Sequence, residues 1–274
     1  MTAVSGVFVG KERRPDVLSG TPRAHAIDRW IYVFTAASFI AIVLAGFIPD
    51  SLMKIGMVEA GQRPPFPLVL HMHAVLMGTY LILLLAQTSL VATGRNAFHQ
   101  QLGILSMILA PAIVVVGFIL IPTTYHGVWQ AAQTAPEAGR AAAMGAVSFV
   151  ENIMLLQIRI GILFPLFLVI GLSARGKDDG LHKRMMILAP AMALPAGLDR
   201  IPWLWTSIPQ SPLTPDLYLL AALSPMIVWD LVRNRGVHPA YWILLAAYLP
   251  MAIAVHALWD TPWWHMTAQR IMGV

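Results

Sequence analysis

A chain of 274 residues with 58% hydrophobic and only 11% charged residues, at a mean hydropathy of +0.69, is not an ordinary soluble domain, where about 25% of residues are charged. With no cysteine, it can form no disulfide, thiolate metal site or iron–sulfur cluster of its own, so His, Met, Tyr and carboxylates are the only ligands left for haem or a transition metal. The net charge of +5 is scattered over loops rather than gathered on one face, which argues for membrane lipids and against nucleic acid as the partner.

Residues 1–29 are polar and basic, with Pro15, Gly20 and Pro22. They lack an apolar core followed by a small-residue cleavage site, so the stretch reads as a cytoplasmic N-terminal segment rather than a signal peptide. Seven apolar spans follow, at about 30–49, 67–92, 102–123, 147–173, 184–206, 215–232 and 239–259. Each is near the ~20 residues that a helix needs to cross the hydrocarbon. The expected fold is an all-α integral membrane bundle of seven transmembrane helices over 30–260, with 261–274 as a tail at the outer interface.

Orientation follows from the basic residues. With the N-terminus inside, Lys11, Arg13, Arg14, Arg23, Arg29, Arg95, Arg175, Lys177, Lys183, Arg184, Arg233 and Arg235 face inward; only Lys54, Arg63, Arg140 and Arg270 face outward. Twelve against four predicts N-in and C-out. The tryptophans agree: Trp30, Trp229 and Trp242 fall at inner helix ends, while Trp203, Trp205, Trp259, Trp263 and Trp264 fall at outer ends. The Ala-rich outer loop over 124–146 is expected to hold a short surface helix.

The second span carries the unusual residues. His73, Met77, Tyr80, Leu84 and Gln87 share one helical stripe, and His71 lies roughly 200° away from His73 around the helix. Polar side chains inside a span usually face the bundle interior and mark a site. Depth then groups them. His73 on span 2, Glu151 and Asn152 on span 4, Asp199 and Arg200 on span 5 and His256 on span 7 all fall in the outer third, with Arg159 nearer the midplane and Asp260 at the outer surface. Glu151, Asp199, Arg159 and Arg200 balance as two anions and two cations, either a fixed ion-pair network or a site that handles substrate or protons.

A short repeat joins spans 2–3 to spans 4–5. ATGRNAFH at 92–99 and ARGKDDGLH at 174–182 are each followed by MILAPA, at 107–112 and 186–191, which suggests duplicated helix hairpins. Proline interrupts most later spans (Pro111, Pro165, Pro190, Pro195, Pro225 and Pro250), which favours a bundle with a cavity.

Two imidazoles at one depth could hold haem b. His73 and His256 match on the outer side, and His99 and His182 match on the inner side, where helix capping and headgroup contact are the competing readings. For a non-haem metal the donors would be His73, His256, Glu151 and Asp199, although HExxH and the di-iron ExxH pair are absent. A retinal pigment is excluded, because Lys11, Lys54, Lys177 and Lys183 all lie in loops or at helix ends.

GRNAFHQQLG at 94–103 and LHKRMMILA at 181–189 resemble the GRxxxHxxLG and H[KR]RxM inner-loop patterns of uncharacterised bacterial polytopic membrane proteins. The arrangement is distantly similar to haem-handling transmembrane cytochromes b and to oxidase-assembly proteins. It departs from those cytochromes in that its histidines are not spaced on two shared core helices. The resemblance implies a multi-pass protein of the bacterial inner (cytoplasmic) membrane, with haem ligation at His73, His99, His182 or His256.

The leading expectation is a membrane redox or cofactor-handling protein, for electron transport, holding haem b or a transition metal in the outer half. His73, His256 and the neighbouring His71 would serve as ligands, with Glu151, Asp199 and Arg200 as proton-linked or propionate-binding partners. Tyr80, Gln87, Asn152 and Arg159 complete the polar network. Two alternatives stay open: a small transporter or ligand-pocket protein using the proline-broken helices, and an accessory or assembly subunit of a respiratory or photosynthetic membrane complex. No motif assigns enzymatic turnover.

Overall fold

The computed structural model describes residues 25–274, so the basic residues Lys11, Arg13, Arg14 and Arg23 lie outside the described residues. The described chain is all helix and coil, with α1 Ala26–Glu59, α2 Leu68–Ala92, α3 Asn96–Gln133, α4 Glu137–Ala174, α5 Asp179–Ala191, α6 Pro195–Leu198, α7 Leu213–Asn234, α8 Pro239–Leu258 and α9 Pro262–Met272. Six of these, α1 to α4, α7 and α8, are long and apolar enough to cross a membrane, as a multi-pass membrane protein requires.

The fifth predicted span, 184–206, is not one helix. α5 ends at Ala191, and the single turn α6 follows from Pro195. Chemistry at the two prolines explains the break: Pro195 has no N–H to offer the Ala191 carbonyl, which instead accepts from Leu194 N at 3.0 Å in a tighter turn. The first MILAPA copy meets a different fate. It lies inside α3, which runs on past Pro111 and Pro122 because the residues beyond continue a helical apolar run. The broken segment is buried, and α1 presses against it. A Cβ on Gly46 would stand only 2.0 Å from the Gly197 carbonyl oxygen, so backbone meets backbone there. Gly46→Ala is therefore expected to push α1 off α6 and lower the thermal unfolding temperature of the detergent-solubilised protein by several degrees, whereas Gly56→Ala, with open space around it, leaves it unchanged.

The short surface helix expected over 124–146 does not form separately. α3 and α4 each run for 38 residues and meet at a break of only three, Thr134 to Pro136. The Ala-rich sequence extends both helices, and Pro136 stops α3 from joining α4. At 1.5 Å per residue each is about 57 Å long, well beyond a hydrocarbon layer of about 30 Å. The tail is also ordered: α9 packs against α4, with Trp264 and Ala268 buried.

One end of the bundle, called basal here, gathers the starts of α1, α3, α5 and α8 and the ends of α2, α4 and α7. Asp28 of α1 meets Arg233 of α7, Arg184 of α5 and Tyr241 of α8 both meet Asp230 of α7, and the His99 and His182 rings meet. The main apolar core fills the space between α1 to α8, with Leu109, Ala110 and Ile113 of α3 and Leu198 of α6 in it.

Candidate functional site

The inner histidine pair is brought together. His99, in the first turn of α3, and His182, in the first turn of α5, have ring centroids 6.4 Å apart, with ring planes at 76°. His182 is tied to the helix before its own, its Nδ1 donating to the Gly171 carbonyl at 2.8 Å. His182 thus keeps Nε2 without an N–H to give, and His99 Nδ1 is buried with no hydrogen-bond partner among the described residues.

The surroundings of the pair are polar. Gln87 Oε1 is likewise buried without a partner among the described residues, Arg175 lies close enough to His99 to act on its charge, and the Lys183 ammonium stands 5.3 Å over the Tyr32 ring. Behind the pair, Arg184 is fully buried rather than at the inner interface of a helix start as the sequence suggested. Its Nε and Nη2 donate to Asp230 at 2.5 and 2.8 Å, and its Nη1 donates to the Gly180 carbonyl at 2.8 Å. Tyr241 and Asn234 also donate to Asp230, at 2.6 and 2.5 Å.

The outer residues do not share one set of contacts. His73 lies against α3, its Cε1 3.9 Å from where a Cβ on Gly117 would stand. His256 Nε2 bonds Asp216 at 3.0 Å, and His71 faces outward, its ring edge-on to Phe66 at 6.0 Å. Glu151 accepts from Tyr125 and Gln269 at 3.1 Å each and bonds His265 Nδ1 at 2.6 Å. Asn152 and His265 Nε2 meet Asp260, at 3.2 and 3.1 Å.

The four charges that balanced on paper likewise choose other partners. Arg159 donates to Asp216 at 2.6 Å, Arg200 pairs with Asp50 at 3.5 Å and with the Ala196 carbonyl, and Asp199 accepts from Thr206 at 2.5 Å. Among the described residues no group of three or more His, Asp or Glu side chains could hold a metal ion, so His73, His256, Glu151 and Asp199 do not converge.

Sequence reasoning missed Asp216 and Asp230, and a signal for them existed. Asp216, Leu219, Leu223, Met226 and Asp230 are all buried and share one i, i+3, i+7, i+10, i+14 stripe of α7, an apolar stripe with a carboxylate at each end. Asp216 gathers Arg159 of α4 with Tyr248 and His256 of α8, and Asp230 gathers Arg184 of α5 with Tyr241 of α8. α7 is thus a polar tie across the bundle at two depths. His265 and Gln269 were missed because the tail was taken as interfacial, not docked.

No family model, no curated protein and no solved structure matches this chain.

Proposed function

We propose that this protein is a multi-pass membrane redox protein whose cofactor is held at the basal end by His99 and His182. The observation that carries the reading is the pairing itself: two imidazoles 6.4 Å apart between ring centroids, His182 oriented by the Gly171 carbonyl through Nδ1 and His99 with a buried Nδ1 that has no hydrogen-bond partner among the described residues. Histidines that bind metals commonly have their other ring N–H fixed by a carbonyl or carboxylate in this way. His99 and His182 would hold haem b, because a non-haem metal would need a third side chain that is not present among the described residues. Haem would supply one-electron chemistry at this end. Arg175 and Arg95, at the same end, would meet its carboxylate substituents as charge-assisted partners.

The bundle crosses the membrane seven times in this reading, α5 and α6 together making the fifth crossing. The basal end, with Arg29, Arg95, Arg175, Lys177, Lys183, Arg184, Arg233 and Arg235, faces the cytoplasm of a bacterial inner membrane. The outer pair His73 and His256 is less suited as a ligand set, since one ring nitrogen of His256 is committed to Asp216.

The test is an absorption spectrum of the purified protein, oxidised and reduced, with elemental analysis. A Soret band that disappears in His99→Ala and in His182→Ala, yet survives in His71→Ala, is the expected result. A preparation with neither haem band nor bound transition metal overturns it and leaves the proline-broken α5–α6 segment as the basis for a transporter reading.

A further inference from the structure

Three of the buried polar atoms without a hydrogen-bond partner among the described residues, His73 Nδ1, Tyr80 Oη and Gln87 Oε1, lie on one stripe of α2. The carboxylates on α4 and α7, by contrast, are occupied by the donors around them. Tyr80 is only 2% exposed, so its hydroxyl cannot turn to bulk solvent. The three lie seven residues apart, about 10.5 Å for each step along the helix.

The facing helix keeps the same interval with small residues. On α3, a Cβ at Gly103 would meet Gln87 Nε2 at 3.4 Å and one at Gly117 would meet His73 Cε1 at 3.9 Å, with Ala110 midway between them in the sequence. Because α2 and α3 are antiparallel, 103, 110 and 117 run alongside 87, 80 and 73. Small residues on α3 thus stand beside Gln87 and His73, while Tyr80 between them packs edge-on to Phe164 of α4 at 5.7 Å. Buried polar groups left unpaired by protein are ordinarily satisfied by bound water. At about 2.8 Å between oxygens, two or three waters bridge each step.

We propose that the α2–α3 seam is a hydrated proton path, a file of waters bonded in turn to His73, Tyr80 and Gln87 and running toward the basal end. Only a redox terminus at that end rests on the redox reading; the hydrated seam stands without it. A proton enters at His73, nearer the far end, and passes along the water file. Tyr80, as donor and acceptor, and Gln87, as acceptor, order the waters in the middle and at the basal end.

Because the chain contains no cysteine, a single introduced thiol reports its own surroundings. Met77→Cys and Leu84→Cys place thiols on the stripe with little change in polarity. Val75→Cys and Ile82→Cys place them on the outward apolar face, where the native residues are 66% and 64% exposed. The probe is methyl methanethiosulfonate, a small permeant reagent, applied to lipid vesicles containing each variant and read by intact mass. It attacks the thiolate, which forms where water reaches the sulfur. Labelling of the stripe thiols at least about tenfold faster than the outward ones is expected. Equal rates, fast or slow, overturn the path. Variants are compared only where they elute as the parent does, and His73→Cys and Gln87→Cys extend the comparison to both ends. An absorption spectrum of the same vesicles keeps the two readings apart: selective labelling without a haem band retains the path and removes the redox terminus, and a band without selective labelling does the reverse.

Discussion

Asp230→Ala is expected to cost about 3–5 kcal/mol, the penalty for breaking a buried ion pair by deleting one partner. Arg184 and Asp230 are both fully buried, and the carboxylate also receives Tyr241 and Asn234. Removing it strands a guanidinium and a phenol where water does not reach. Thermal unfolding in detergent, followed by size-exclusion chromatography, measures the loss. The double variant Arg184→Met with Asp230→Leu should recover most of it, since a matched apolar pair of similar volume avoids the desolvation cost altogether. If Asp230→Ala unfolds at the parent's temperature, the pair does not hold α5 to α7. Failure of the double variant to improve on the single one would show that Tyr241 and Asn234, not the charge, set the cost.

Asp216→Ala is expected to be nearly as damaging, for a related reason at a different depth. One carboxylate there takes Arg159 at 2.6 Å, Tyr248 at 2.7 Å and His256 at 3.0 Å, joining α4, α7 and α8. Arg159 already has one nitrogen, Nη1, without a hydrogen-bond partner among the described residues, so it has little to fall back on. Its guanidinium also stacks over the Tyr248 ring at 4.9 Å, which orients it toward the carboxylate. A double-mutant cycle with Arg159→Met and Asp216→Leu should return a coupling of about 3 kcal/mol, at the upper end for residues in direct contact. Strict additivity would mean that the two side chains do not support one another. Asp216→Asn should fall between parent and Ala, because the amide oxygen still accepts while the charge is gone.

Both effects concern residues that were hard to see in the chain. Asp216 and Asp230 lie near the two ends of α7, where a carboxylate reads equally well as headgroup-facing. Their burial follows from the stripe that they share with Leu219, Leu223 and Met226, and from the arginines on α4 and α5 that arrive opposite them. Arg184 misled for the same reason, since a basic residue beside Lys183 at a helix start looks interfacial until a partner helix covers it. The candidate site was more legible. His99 and His182 stand in similar loops ahead of the same hexamer, and that local likeness places both at the basal end.

Membrane class, the limits of α2, the stripe from His73 to Gln87 and the likeness of the two hairpins were determined by the sequence alone, because hydropathy, helical period and loop chemistry are local properties. The tertiary structure decided everything that depends on which helices are neighbours: that Arg159 meets Asp216 rather than Asp199, that His256 is spent on a carboxylate, that α9 folds back onto Glu151, and that the span after His182 breaks at Pro195 under the backbone of α1. A buried charge or imidazole binds whatever reaches it first in three dimensions. Depth along a single helix narrows the possible partners to a layer, and only adjacency around the bundle picks one from it.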